Sequence, residues 1–178
     1  PSSPLINRRD LLKGAAAAGM LTALGPLAGC AHVSSAPANA VVRENAKPGT
    51  TDWLLANTRA DPETKYRCPW IEGYCSRNSL RPGESLDILV STNPPSSFVI
   101  DLYRLGYYGG KGGRHVERLG PFQGTAQPDP IVGLERVREC LWEPSTKFTI
   151  PANWLSGVYL GKLTEEKEKL QSYIIFIV

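Results

Sequence analysis

A glycine-rich run with one lysine, GYYGGKGG at residues 106–113, has the composition of a phosphate-binding loop. A Walker loop needs four residues between its first Gly and the Gly-Lys pair, and a Ser or Thr after the Lys. Here Lys111 is followed by Gly112, and no helix pattern follows that would offer its N-terminus to a phosphate. We therefore interpret the run as a hairpin or bulged turn that needs positive φ angles.

The other residues with catalytic potential stand alone in the sequence. His115 has no second His nearby, because His32 lies far upstream, and a lone His is a poor basis for a metal site or a triad. Glu72 lies among apolar residues of an expected strand, where a half-exposed position accounts for it. The sequence therefore predicts no catalytic residue, no metal ligand and no cofactor in this chain.

The first 29 residues have the features of an export signal. Arg8 and Arg9, followed by an apolar residue and Lys13, resemble the twin-arginine signal, and a short Ala-rich run follows at residues 14–29. That run is shorter and less apolar than the roughly 20 residues that span a membrane. We interpret residues 1–29 as a signal peptide, which predicts export by the twin-arginine route to the periplasm or the cell surface.

The four residues LAGC at positions 27–30 resemble the box that lipoprotein signal peptidase cleaves. Two alternatives stay open here. Cleavage before Cys30 with a diacylglycerol on its thiol would anchor the protein to a membrane, whereas ordinary cleavage near Ala31 or Ala38 would not. Residues 30–51 are rich in Ala, Ser, Pro and Asn, and this composition predicts a flexible tether.

Three cysteines follow Cys30, so at least one of them is unpaired or pairs outside the chain if Cys30 carries lipid. Export leads to an oxidising compartment in which disulfides form. Cys68 could pair with Cys75, or Cys75 with Cys140, and the sequence does not choose between them. The spacing of Cys68 and Cys75 is wider than the CxxC pair of a zinc site.

Residues 52–178 predict an all-β domain. Seventeen Gly and fifteen Pro among 178 residues favour short strands and turns over long helices. Apolar residues alternate with polar ones at residues 85–92 and again at residues 98–102. About seven such strands predict an Ig-like or fibronectin-like β-sandwich.

Three features near the end of the chain refine this prediction. Tyr159 follows a Pro-containing corner and a Gly turn, and we expect it to form a tyrosine corner. The run EEKEK at residues 165–169 predicts a solvated hairpin end. The run SYIIFIV at residues 172–178 is apolar at every position after Ser172, so both faces of the strand are apolar. This predicts a central strand buried on both faces.

The net charge of +3 is concentrated in the leader, which carries +2 from Arg8, Arg9, Lys13 and Asp10, so the remainder carries only +1. A remainder this close to neutral argues against a nucleic-acid surface. Four aromatic residues could instead form a platform on which glycans stack, although we favour positions in the core or at a domain interface. They are Tyr107, Tyr108, Trp142 and Trp154.

Four segments of the chain resemble one known family. They are WIEGYCS at 70–76, LYRLGYYGGKGGR at 102–114, CLWEPS at 140–145 and WLSGVYLGKLT at 154–164. Residues 43–178 look like the N-terminal β domain of proteins similar to the large subunit of N,N-dimethylformamidase. The resemblance implies a further α/β domain, similar in fold to glutamine amidotransferases, in which tyrosine and glutamate side chains hold an iron. It does not make Tyr107 and Tyr108 iron ligands.

Three functions are compatible with these features. The first is a non-catalytic β-sandwich module of an exported, amide hydrolase-like protein, supporting a catalytic domain beyond Val178, since the chain stops directly after an apolar run. This hypothesis predicts an exposed apolar patch on the β domain. The alternatives are a cell-surface module that binds a glycan or protein, and a structural spacer on a lipoprotein.

Overall fold

The structure is a computed structural model that describes residues 39–65 and 67–178, so the predictions about Arg8, Arg9 and Cys30 lie outside the described residues. Seven strands form two antiparallel sheets, as predicted for a β-sandwich. The first sheet has the order β1-β2-β5, with β1 at Glu72–Cys75, β2 at Ser85–Ser91 and β5 at Thr146–Thr149. The second has the order β4-β3-β6-β7, with β3 at Ser97–Leu105, β4 at Gly113–Gln123, β6 at Val158–Glu165 and β7 at Gln171–Ile177.

One hydrophobic core lies between the two sheets. Alternate residues of β2 and β3 point inward, because successive side chains of a strand face opposite sides of its sheet. They meet the inward side chains of β6 and β7 and two residues before strands, Ile71 and Leu80. The fully buried members include Leu86, Ile88, Val90, Phe98, Ile100, Leu102, Ile150, Tyr159, Leu163 and Phe176.

The glycine-rich run joins β3 to β4 as a tight hairpin turn, as predicted. Tyr108, Gly109, Gly110 and Gly112 all have positive φ angles, and Gly106 N–H donates to the carbonyl of Gly112 at 3.1 Å. The strand that follows, β4, extends to Gln123. A short 3-10 turn at Tyr108–Gly110 lies inside the connection, and two more occur at Pro62–Thr64 and Leu134–Arg136.

Tyr159 forms the predicted tyrosine corner. Its side chain is buried, and its hydroxyl donates to the carbonyl of Leu155 at 2.7 Å, four residues upstream. Its ring stacks on Trp154 with centroids 4.5 Å apart and on Phe176 at 5.7 Å. The corner therefore fixes the entry into β6 and joins it to the core.

The segment before the sandwich is more ordered than its composition predicted. Residues Ala40–Asn45 form a short helix, α1, and the side chain of Asn39 accepts from the N–H of Val41 at its start. Thr50 N–H donates to the carbonyl of Gly113 at 2.8 Å. Residues 39–51 therefore do not form a flexible tether, because long-range contacts hold them against the hairpin. None of the helices in the described part of the chain has the length and apolar character to cross a membrane.

One prediction for the last hairpin is wrong, and the other holds except at its first residue. β7 is an edge strand rather than a central one, and Ile175 and Ile177 on its outer face are about half exposed. Residues 166–169 form the exposed hairpin end that the charged run predicts, whereas Glu165 is buried and its carboxylate accepts from the backbone N–H groups of Lys167, Glu168 and Leu170. Its pKa is lowered, since these hydrogen bonds and one from Ser96 outweigh the effect of burial.

Candidate functional site

A buried carboxylate lies at the base of the β3–β4 hairpin. Glu44 of α1 is only 3% exposed, and its Oε1 accepts from the hydroxyl of Tyr108 at 3.0 Å and from Arg114 Nε at 2.7 Å. Its Oε2 lies 2.7 Å from Lys47 Nζ. Burial raises the pKa of this carboxyl, but the hydrogen bonds from Lys47, Arg114 and Tyr108 outweigh it and lower the pKa to about 2. Glu44 is therefore ionised at every physiological pH.

A second buried charge lies beside Glu44. Arg104 on β3 is 4% exposed, and its guanidinium donates to the hydroxyl of Tyr108 at 3.0 Å and to the carbonyl of Ser156 at 2.8 Å. Two glycines leave room for it. A Cβ on Gly157 would lie 3.0 Å from Arg104 Nε, and one on Gly106 would lie 3.2 Å from Nη1 and 2.4 Å from Asn45 Oδ1.

These contacts explain the two segments of the sequence with the most unusual composition. The glycine-rich hairpin contributes Tyr108 and Arg114, and the SGVYLGKLT segment contributes Gly157, to one ion cluster that joins α1 to the sandwich. Trp53 adds a further contact, since its Nε1 donates to the carbonyl of Lys111 at 3.0 Å. The cluster therefore holds the fold together and presents no nucleophile or general base to solvent.

An open cleft lies against β1 of the three-stranded sheet. It has a volume of about 620 Å³ and is lined by residues of β1 and of two loops, at residues 63–65 and 67 and at residues 129–142. Arg67 spans it. The guanidinium makes a bidentate ion pair with Glu72 and donates to Asp129 Oδ1 at 2.6 Å. These two carboxylates raise the pKa of Arg67 above its usual range, so the three groups form a fixed ion-paired clamp.

The long loop after β4 is attached to the sheet at its base. Tyr74 donates its hydroxyl to the carbonyl of Cys140 at 3.0 Å, and its ring lies 5.3 Å from that of Trp142. The indole of Trp142 is buried and donates to the carbonyl of Pro128 at 3.0 Å. Together with the bond from Arg67 to Asp129, these contacts hold both ends of the loop in place.

The tip of the same loop is strongly apolar and exposed. Five large aliphatic side chains within eleven residues are between 51% and 91% exposed, with Leu134 the most exposed. Four of them line one surface groove of about 480 Å³ together with Pro128 and Pro130. We name these five residues the apolar loop tip: Ile131, Val132, Leu134, Val137 and Leu141.

The structure does not bring the four predicted binding aromatics together. Tyr107 is 70% exposed, whereas Tyr108 is buried against Glu44. Trp142 is buried at the base of the long loop, and Trp154 stacks on Tyr159 and lies at a tilt against Phe148. Three of the four therefore serve as packing residues, and no stacking platform is formed among them.

The cysteines and His115 are equally separate. Cys68, Cys75 and Cys140 are free thiols in the structure, which contains neither predicted pairing. Burial raises the pKa of the Cys75 thiol to about 12, so it stays protonated and unreactive. His115 Nε2 lies 3.0 Å from Asp101 Oδ1 on the surface of the four-stranded sheet. Within the described ranges, no group of three or more His, Cys, Asp or Glu side chains is arranged to hold a metal ion.

Sequence reasoning missed Glu44 and Arg104 as central residues. Glu44 was assigned to the tether on local composition, and its partner Arg114 is 70 residues away in the chain. Arg104 lies on β3, and the alternation of apolar and polar residues in that strand does not indicate that its side chain is buried. The available signal was the density of glycines near it, at positions 106 and 157, since glycine often marks a place where other groups approach closely.

Comparison with known proteins gives two matches. Residues 99–178 match the model of the family described as N,N-dimethylformamidase beta subunit-like, C-terminal. Residues 5–25 match the twin-arginine translocation signal sequence, which supports export across the membrane. A search of curated proteins finds no match.

The family match confirms the predicted resemblance to N,N-dimethylformamidase, over a shorter range than the 43–178 expected. It includes the β3–β4 hairpin, the apolar loop tip, β6 and β7, and excludes α1 and the first sheet strands β1 and β2. The family description assigns the matched region to the C-terminal part of the related subunit. The resemblance of the sequence segments predicts an N-terminal domain instead.

Proposed function

We propose that this chain, exported and similar to N,N-dimethylformamidase over residues 99–178, provides a non-catalytic β-sandwich module that docks onto a catalytic domain. The observation that carries the proposal is the apolar loop tip, whose five aliphatic side chains are exposed on a loop with an anchored base. A large cluster of exposed apolar residues commonly marks a site that binds another protein, a membrane or a ligand. This is the patch that the docking hypothesis predicts.

Burial of the apolar loop tip against a partner domain is energetically more favourable than its exposure to water. Covering one large aliphatic side chain stabilises a complex by roughly 1.5–3 kcal/mol before the costs of association are subtracted. The loop tip has five such side chains, and the half-exposed Ile175 and Ile177 of β7 add two more on another surface. An anchored base reduces the conformational entropy lost on docking, because Trp142 and Arg67 already fix both ends of the loop.

Iron, which the family resemblance implies, does not fit the described residues. The tyrosine nearest to a buried carboxylate is Tyr108, and its hydroxyl already lies between Glu44 and Arg104. A cation placed there would meet two guanidinium groups, since Arg114 also contacts Glu44. In this proposal, the iron that the resemblance implies would be held by the catalytic domain that this module contacts.

An assay of amide hydrolysis tests the non-catalytic role. The purified 178-residue chain and an extract of cells that export the protein would each be assayed on N,N-dimethylformamide and other small amides, with and without added iron(II). We expect the purified chain to be inactive in every condition. Turnover by the purified chain would show that it carries its own catalytic site, and inactivity of the extract on all amides would remove the link to amide hydrolysis.

The proposal includes a lipid anchor at Cys30, which rests on the LAGC box at the end of the export signal. Acylation at this position would hold the module at a membrane surface without a spanning helix. Metabolic labelling with a palmitate analogue tests this, with Cys30→Ser as the matched control. We expect label on the wild-type protein alone, and an unlabelled wild-type protein would contradict the anchor.

A further inference from the structure

Arg104 is a buried cation without a carboxylate partner. Its guanidinium is 4% exposed, and all its hydrogen bonds go to neutral oxygens: the Tyr108 hydroxyl and the carbonyls of Leu105 and Ser156. Among the described residues, its Nε has no hydrogen-bond partner. A guanidinium stays charged at all relevant pH values, and buried Arg side chains are almost always paired with an anion. The structure therefore leaves a buried donor unsatisfied.

A small cavity of about 230 Å³ lies next to this guanidinium and is lined mainly by polar atoms. Three cations border it, Arg104, Arg114 and Lys47, against the single carboxylate of Glu44. Both oxygens of that carboxylate are already bonded, one by Arg114 and Tyr108 and the other by Lys47. The groups around the cavity thus carry an excess of two positive charges, and Glu44 has no oxygen left over for Arg104.

We propose that this cavity binds a small free monocarboxylate, with Arg104 as its buried charge and Lys47 at its rim. A planar guanidinium matches the two oxygens of a carboxylate better than it matches a spherical ion. The cavity of about 230 Å³ has room for several water-sized groups, so an acid of one to four carbon atoms fits. Asn153, exposed at the cavity wall, supplies an amide donor.

The direct test is a titration of the full chain with sodium acetate, replacing chloride at constant ionic strength, followed by calorimetry and by thermal unfolding. We expect saturable binding with a Kd in the low millimolar range, as for a ligand of about four heavy atoms, and a rise of Tm with acetate. Absence of saturable binding would overturn the proposal. Binding of phosphate as tight as that of acetate would overturn the assignment to a carboxylate.

Two exposed lysines provide matched variants that should both fold. Lys47→Gln removes a charge at the cavity rim, and we expect it to raise the Kd for acetate about three- to tenfold. Lys147→Gln on β5 removes the same charge from an exposed ion pair with Asp87 on β2, away from the cavity, and should leave the Kd unchanged. Equal effects of the two substitutions would show non-specific binding and contradict the site. Arg104→Gln, if it folds, should abolish binding altogether.

Discussion

The guanidinium of Arg104 occupies the space that a side chain on Gly157 would need. A Cβ at Gly157 would lie 3.0 Å from both Nε and Nη2, closer than nearly all real Cβ contacts. Arg104 comes from β3 and Gly157 from the turn before β6, which are neighbours in the four-stranded sheet. Because Gly157 has no side chain, the buried guanidinium of Arg104 fits between these two segments, both of which lie in the family-matched region.

Gly157→Ala tests this relationship. Three hydrogen bonds hold the guanidinium, so it cannot easily move away from an added methyl group, and we expect a loss of about 1–3 kcal/mol in the free energy of unfolding. Urea denaturation measures it. Ser156→Ala is the control, because Arg104 donates to the backbone carbonyl of Ser156, which the substitution keeps, and it should change stability by less than about 0.5 kcal/mol. Equal stability of the two variants would contradict the close contact.

Glu44→Gln should remove part of the pH dependence of stability. The pKa of Glu44 is about 2 in the folded protein and 4.5 when unperturbed, so the unfolded state binds the proton more tightly. The stabilisation is therefore complete above pH 4.5 and is lost as the pH falls towards 2. Between pH 6 and pH 3 the wild-type protein should lose about 2 kcal/mol more than the variant.

Urea denaturation at a series of pH values measures this difference. Asp129 and Glu165 also have lowered pKa values, so both proteins will lose stability in acid, and the comparison with the variant isolates Glu44. Parallel curves for the two proteins would mean that Glu44 is not held in the ion cluster. The result would then favour the flexible segment that the local composition of residues 30–51 suggests.

Tyr159→Phe should destabilise the fold by about 1 kcal/mol, because it removes the hydroxyl that donates to the carbonyl of Leu155 and leaves that acceptor unpaired. Thermal or urea denaturation measures the change. Tyr107→Phe removes the same atom from an exposed side chain and should be neutral within about 0.5 kcal/mol. If both variants were equally stable, the tyrosine corner would contribute nothing to this fold.

Trp142→Phe tests whether the base of the long loop is anchored. The substitution keeps an aromatic ring against Tyr74 but removes the donor to the carbonyl of Pro128, so we expect faster backbone hydrogen exchange across residues 127–141 and a loss of about 1 kcal/mol. Trp53→Phe is the control, since it removes an indole donor to Lys111 at the hairpin. Exchange in the loop that is equal in the two variants would contradict the anchoring role.

Features with local causes were predictable from the sequence. The strands β2 and β3 follow from alternation, the hairpin turn from its glycines, and the tyrosine corner from the Pro and Gly before Tyr159. Features that depend on distant partners were not. Glu44 is buried only because Arg114 and Tyr108 lie next to it, and no periodicity within residues 39–51 contains that information.

The errors near the end of the chain have the same origin. The charged run at 165–169 is exposed at residues 166–169 as predicted, but Glu165 is buried because the backbone turns so that three N–H groups face its carboxylate. The apolar run of β7 predicted burial on both faces, yet its outer face with Ile175 and Ile177 stays half exposed. An apolar sequence indicates that burial of a strand face would be favourable. Whether another strand or sheet in this sandwich buries that face is shown only by the order of the strands.

The central claim is that the apolar loop tip is covered by another domain, and side-chain footprinting with a carbene reagent tests it most directly. The protein as cells export it and the purified 178-residue chain would be labelled in parallel, with the exposed Tyr107 as an internal reference. We predict that labelling of Leu134 and Val137 falls several-fold in the exported protein, where the partner domain covers them, while that of Tyr107 is unchanged. Equal labelling of Leu134 and Val137 in the two samples would contradict the docking module.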